Sequence, residues 1–185
     1  LSDSGKHFLL RLARETIGYY LENKEILRID KDKIPLELNF KSGCFVTLKK
    51  EGDLRGCIGT FNFNEYIYNN VVLMSIEASF RDPRFPPLRK DELNSIDIEI
   101  SVLTPMVKLS DFNEIEIGRD GLYVVMGYNS GVLLPQVAVE NNWDRETFLS
   151  YTCLKAGLPA DAWKKYGLND PKFAIYKFSA IVFGE

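Results

Sequence analysis

Residues 96–102 read Ile96-Asp97-Ile98-Glu99-Ile100-Ser101-Val102. Four β-branched apolar residues alternate with three polar ones, the pattern of a strand with one buried face. Thr104-Pro105 ends it. Upstream, residues 44–49 read as a second strand, and Glu51-Gly52-Asp53 is a turn signal. Residues 54–61 follow as its hairpin partner. Between that hairpin and the Ile96 strand, residues 65–80 place Ile67, Val71, Met74 and Ala78 at helical spacing, with Asn62 or Asn64 as a cap. Residues 4–22 predict a first helix on Leu9, Ala13, Ile17 and Tyr20, capped by Ser2, Asp3 or Ser4. Residues 23–40 predict an irregular, mostly exposed crossing.

Downstream, residues 120–127 and 129–134 predict another hairpin. Pro135 opens a helix expected to run through Trp143, and Asp144 caps another that turns Phe148, Leu149, Thr152, Cys153 and Ala156 inward and stops at Gly157. A helical turn over 161–166 carries Trp163, and residues 173–183 predict one last strand. Antiparallel neighbours separated by helices give an α+β class: a mainly antiparallel sheet flanked by helices.

The chain has 185 residues, 23 Lys+Arg against 26 Asp+Glu, and 45% hydrophobic residues. That apolar content offsets chain entropy and excludes disorder. No run reaches the roughly 18–20 apolar residues of a membrane span. A net charge of −3 and a pI near 5.4 argue against a dedicated nucleic-acid binder. Arg81, Arg84, Arg89 and Lys90 form one basic cluster, which is more often a solvated face. Cys44, Cys57 and Cys153 contain no C-x-x-C pair, so neither a disulfide framework, nor a zinc site, nor a transition-metal cofactor is expected, and the compartment is expected to be the cytoplasm. His7, the single histidine, is expected to be solvated in the first helix. The chain begins with Leu1, and the polar residues 2–5 suit a linker from a longer protein.

Three segments carry the chemistry. In Leu54-Arg55-Gly56-Cys57-Ile58-Gly59-Thr60-Phe61, two glycines within a strand mark a bulge or a close backbone approach. Regular alternation puts Arg55, Cys57 and Gly59 on one face and Gly56, Ile58 and Thr60 on the other. A guanidinium beside Cys57 favours thiolate. The competing reading is a small packed cysteine, with Arg55 holding a carboxylate. In residues 80–87 the prolines stiffen a loop that presents Arg81 and Arg84, either to a carboxylate or phosphate ligand or to acidic neighbours such as Asp82 or Glu99. In residues 133–138, Gln136 falls at a helix start, as a ligand contact or simply a packing residue. Ser101, Thr104 and Trp143 complete a polar and aromatic wall. No P-loop, dinucleotide or H-E-x-x-H motif occurs.

LRGCIGTF at 54–61, DPRFPPL at 82–88, ISVLTP at 100–105, GVLLPQVAVENNW at 131–143 and FLSYTCLKAGL at 148–158 together resemble the AMMECR family over nearly the whole chain. The resemblance implies one AMMECR-type domain over 1–185 with a larger and a smaller lobe and the RGCIG segment in a cleft between them. It carries over Arg55, Gly56, Cys57, Gly59, Arg84, Phe85 and Gln136; Thr60 falls within the same motif. It also implies relatives encoded with, or fused to, a Memo-like protein and a radical SAM protein, the AmmeMemoRadiSam group. The Memo-like partner resembles a class III extradiol dioxygenase subunit, and this chain would form the C-terminal part of such a fusion. Three functions follow as expectations: an accessory component binding a small anionic ligand or a partner, a cysteine enzyme using Cys57 as nucleophile with Arg55 stabilising charge, and, last, nucleic-acid binding.

Overall fold

The first helix, α1 (Asp3–Asn23), starts where Ser2 accepts the Gly5 N–H and ends with Lys24 in the left-handed region at φ 58°. Its buried stripe of Leu9, Ala13 and Ile17 packs with α2 (Ile67–Phe80), whose Val71, Met74 and Ala78 are also buried. The computed structural model describes residues 1–185. Both helices cover one face of a four-stranded sheet of β1 (Cys44–Lys50), β2 (Asp53–Thr60), β3 (Ile96–Leu103) and β8 (Ala180–Gly184), in the order β2-β1-β3-β8. β1 pairs antiparallel with both β2 and β3. The inner face is Cys44, Val46 and Leu48 on β1 and Ile96, Ile98, Ile100 and Val102 on β3, all buried.

The opposite face of that sheet is half open. Gly59, Phe45 and Ser101 stand side by side across β2, β1 and β3, and Cys57, Thr47 and Glu99 form the next row. Segment 24–43 is irregular, with two short 3-10 turns (Lys31–Lys33 and Leu36–Leu38).

A second sheet holds β4 (Val107–Lys108), β5 (Gly121–Met126), β6 (Asn129–Leu133) and β7 (Phe173–Phe178) in the order β4-β7-β5-β6. With it go α3 (Pro135–Glu140), α4 (Arg145–Lys155) and α5 (Ala162–Tyr166). Leu122, Val124, Phe148, Cys153, Phe173 and Ile175 are the centre of its own core. The chain thus forms two compact units, Leu1–Leu103 with Ile181–Glu185, and Thr104–Ala180. The class is α+β. No helix is long and apolar enough to cross a membrane.

Three expectations are corrected. Residues 173–183 are not one strand: they split at Ser179 into β7 and β8, which belong to different sheets. At the break, Ser179 is held by Thr104, whose N–H donates to the Ser179 carbonyl at 2.8 Å and whose hydroxyl accepts the Ser179 N–H at 2.8 Å. The helix from Pro135 stops at Glu140, because Asn142 takes φ 53° and Trp143 N–H returns to Ala138 O. Neither Asn62 nor Asn64 caps α2: Tyr66 is the N-cap, and the Glu65 carboxylate accepts the Tyr66 N–H and the Asn69 side-chain amide.

Candidate functional site

β2 is the outermost strand of its sheet, so the backbone groups on its outer side have no strand partner. At Cys57 the loop after α2 supplies one. Cys57 N–H donates to Asp82 Oδ2 at 2.9 Å, and Arg84 Nη2 donates to Cys57 O at 3.0 Å. Arg84 in turn bonds Asp82 through Nε at 2.9 Å and Nη2 at 2.7 Å, and the Arg84 N–H adds a third bond to Asp82. The Asp82 side chain is 1% exposed while that of Arg84 is 54% exposed. Phe85 completes the mount, with its ring centroid 5.5 Å from the Arg84 guanidinium carbon. The Arg84 hydrogen bonds, ahead of the opposing effect of burial, hold the Asp82 carboxyl well below the usual carboxylate range. Arg84 is raised in return, first by its hydrogen bonds to Asp82.

Cys57 itself is half-buried, and its Sγ accepts a hydrogen bond from the Thr47 hydroxyl at 3.2 Å. The other two cysteines are buried within their cores; burial pushes the Cys44 thiol up to about 12 and raises that of Cys153. Glu99, beyond Thr47 in the same row, is neutralised by Lys49 at 2.9 Å.

Arg55 departs from its expected place. The register jumps from Lys49 opposite Leu54 to Leu48 opposite Gly56, so Arg55 is the extra residue of a bulge. Alternation is broken there: Cys57 and Gly59 share a face, but Arg55 is committed to Glu92. Its Nε and Nη2 meet the two Glu92 oxygens at 3.1 and 3.0 Å, a bidentate pair. Lys50 and the Arg89 N–H also bond Glu92, and its carboxyl is lowered to about 2, Arg55 being the largest cause. The guanidinium that reaches Cys57 is therefore Arg84.

The glycines fit close approaches. A Cβ on Gly56 would lie 2.2 Å from Ala78 O of α2, and one on Gly59 would lie 2.2 Å from the Phe45 ring. Thr60 is turned to local structure, its hydroxyl accepting the Asn62 N–H. Ser101 shares the open face with Phe45 and Gly59. Thr104, Gln136 and Trp143 belong to the other unit. There Thr104 holds Ser179, Gln136 is exposed on a six-residue helix, and Trp143 stacks on Tyr151 at 4.1 Å. Thr47, Asp82 as a buried anchor, and Glu92 emerge only from the fold.

The basic cluster is matched charge for charge: Arg81 with Glu77, Arg84 with Asp82, Arg89 with Asp91, and Lys90 with Glu22. That pairing leaves little net attraction for an extended phosphate backbone, although Arg84 uses only Nε and Nη2 and keeps Nη1 for a single anion. His7 is exposed on α1, with Nδ1 at 2.6 Å from Asp3 O. No three histidine, cysteine or carboxylate side chains gather as a metal-holding group.

The AMMECR1 family model matches residues 10–183. A protein of Methanopyrus kandleri is 46% identical, covering 96% of this chain and 87% of its own length. One from Pyrococcus furiosus is 44% identical, covering all of this chain and 90% of its own. The crystal structure of an uncharacterized protein from Pyrococcus horikoshii superposes with a TM-score of 0.84 at 40% identity, over the whole of this chain and 93% of that one. With the family model matching residues 10–183 and relatives above 40% identity over almost the entire sequence, the chain belongs to the AMMECR1 family.

Proposed function

We propose that this protein is a binding component that holds a small anionic ligand, or an acidic group of a protein partner, at Arg84 beside Cys57. The observation that carries this reading is the mount of Arg84: a guanidinium oriented by a buried carboxylate, a backbone carbonyl and an aromatic ring, yet half exposed. Such preorganisation lowers the entropy lost when an anion binds. The Memo-like and radical SAM proteins are the partners this component would serve, on the strength of the family resemblance, in a modification system whose redox chemistry they supply. Titration calorimetry with inorganic phosphate and with succinate tests the ligand half. Binding that Arg84→Gln weakens about tenfold is expected, whereas equal affinity of the variant would remove the basis for the reading. Anaerobic co-purification with the two partners tests the other half, and their failure to associate when folded would count against it.

A second reading, a cysteine enzyme, is favoured by one specific contact, the Thr47 hydroxyl on the Cys57 sulfur with Arg84 nearby. Thiol alkylation of the native protein from pH 6 to 9 separates the two. Labelling of Cys57 that persists at the acid end supports a nucleophile. Labelling that falls away with the pH like that of a free thiol supports binding alone.

A further inference from the structure

A cavity of about 380 Å³ opens on the Leu1–Leu103 unit between segment 26–31 and the first half of α2, on residues that the site at Arg84 does not use. Its walls are apolar: Ile26, Leu27 and Ile29 from the segment, and Tyr68, Val72 and Leu73 from the helix. Two of these are unusually bare for their type, Ile26 at 54% and Leu73 at 42% exposure. Exposed aliphatic side chains gathered round one depression differ from the scattered ones normal on any surface.

The polar lining is mainly cationic. Arg28 and Lys31 both line the cavity and both are exposed. Neither forms an ion pair, although Lys33 in the same segment is taken by Asp30 at 3.2 Å. Asn69, the remaining polar lining residue, spends its amide on Glu65. Of the acidic residues around them, Asp30 is held by Lys33, Asp32 flanks Lys31 in the chain, and Glu65 is offset through space by Lys41 and Lys31. An apolar cavity with two exposed cations that hold no ion-paired carboxylate matches a ligand with an apolar body and one anionic head. At about 30 Å³ per water-sized group, the volume takes about a dozen such groups. That is one medium-length chain, too little for a peptide helix.

We infer that this cavity is a binding site for a free, medium-chain amphipathic carboxylate, its chain against Ile26, Leu27, Val72 and Leu73 and its carboxylate at Arg28 and Lys31. The site is independent of Arg84 and Cys57, so either assignment stands if the other fails.

Decanoate is the probe, read by calorimetry and by amide NMR shifts, with decanol as the uncharged control. Saturable 1:1 decanoate binding is expected, with shifts concentrated at Tyr68, Val72 and Leu73 and weaker binding of decanol. The double variant Arg28→Gln/Lys31→Gln removes two exposed, unpaired charges, so it is expected to fold normally and to bind decanoate about tenfold more weakly. Leu73→Asp is expected to abolish binding. Equal affinity for decanol, or an unchanged double variant, overturns the inference, as does absence of saturable binding below the aggregation limit of decanoate. Binding to vesicles of phosphatidylcholine with phosphatidylglycerol, but not to monomeric decanoate, overturns it in favour of a lipid surface.

Discussion

At Cys57, Asp82 and Arg84 do for the edge of β2 what a neighbouring strand does elsewhere: one accepts its N–H, the other donates to its carbonyl. The two side chains are not equivalent. Asp82 is buried and answers both the Cys57 N–H and the Arg84 guanidinium, whereas Arg84 is half in water. Asp82→Ala strands the half-buried Cys57 N–H and frees the arginine, so a loss of about 2–3 kcal/mol is expected in urea unfolding. Arg84→Gln should cost about 1 kcal/mol, since the Cys57 N–H keeps its acceptor. The reverse order would mean that the arginine is the anchor. Cys57→Ser at the same spot keeps a small side chain opposite Thr47 and should leave the fold intact, as checked by circular dichroism. Glu92 gives the pH dependence at this scale. Its folded-state carboxyl is depressed to about 2, below the ordinary value of 4.5. Its contribution is therefore complete above about pH 4.5 and is lost as the pH falls through about 2. Glu92→Gln should flatten that acid limb relative to the native protein, and an unchanged limb would exclude the Arg55–Glu92 pair as its source.

At the scale of elements, the two glycines of β2 answer to different neighbours, and the difference is measurable. Gly56 abuts a backbone carbonyl of α2, and neither element can move without the core. Gly59 abuts the Phe45 ring, a side chain that can be shortened. Gly56→Val should cost about 3 kcal/mol, the upper end for overpacking because the obstacle is fixed backbone, with no simple rescue. Gly59→Val should be relieved in the double variant Phe45→Ala/Gly59→Val, giving a non-additive cycle. Additive losses would place the ring elsewhere. These same residues show what the sequence could disclose. The glycines announced a bulge, but not which residue it would extrude. Counting back from the Glu51-Gly52 turn without a bulge sets Thr47 opposite Gly56; only with Arg55 extruded does Thr47 meet Cys57. Hence the pairing of Arg55 with Glu92, and the thiol contact of Thr47, were beyond periodicity. Alternation at Ile96, Ile98, Ile100 and Val102, the Ser2 and Asp144 caps, and the stripes of α1 and α2 were legible because each is a local pattern. The break at Ser179 was not: Ile175, Phe178 and Val182 read as one apolar run, and what divides it is Thr104, 75 positions away. Likewise, that Arg28 and Lys31 hold no ion-pair partner shows only once Lys33 is found on Asp30 and Lys24 and Lys41 over aromatic rings.

Seen whole, the Leu1–Leu103 unit is completed by a piece of chain that lies beyond the other unit in the sequence, for Ile181–Glu185 belong to it. β8 adds the last strand beside β3, and the Glu185 N–H donates to Ile98 O at 3.1 Å. The Glu185 carboxylate then accepts the Ile98 N–H at 3.0 Å and the Arg14 Nε at 2.7 Å. Arg14 also donates to the carbonyls of Leu93 and Ile96, so one guanidinium ties α1, the turn before β3 and the final residue together. Pairing residues 171 positions apart carries a high closure cost, which the unit recovers only once β8 docks. Deleting residues 181–185 should therefore lower the stability of the first unit by about 3 kcal/mol and speed amide exchange along β3. The Thr104–Ala180 unit has its own core, so exchange at Val124 and Ile175 should stay slow in the same sample. Glu185→Gln sharpens the test: it keeps the β8 backbone bonds but gives up the charge on Arg14, and is expected to cost about half as much. If β3 exchanges no faster in the truncated chain, the last strand is an ornament on a unit that folds from residues 1–103 alone. If it does, residues 181–185 are part of what holds β3 in the unit that residues 1–103 begin.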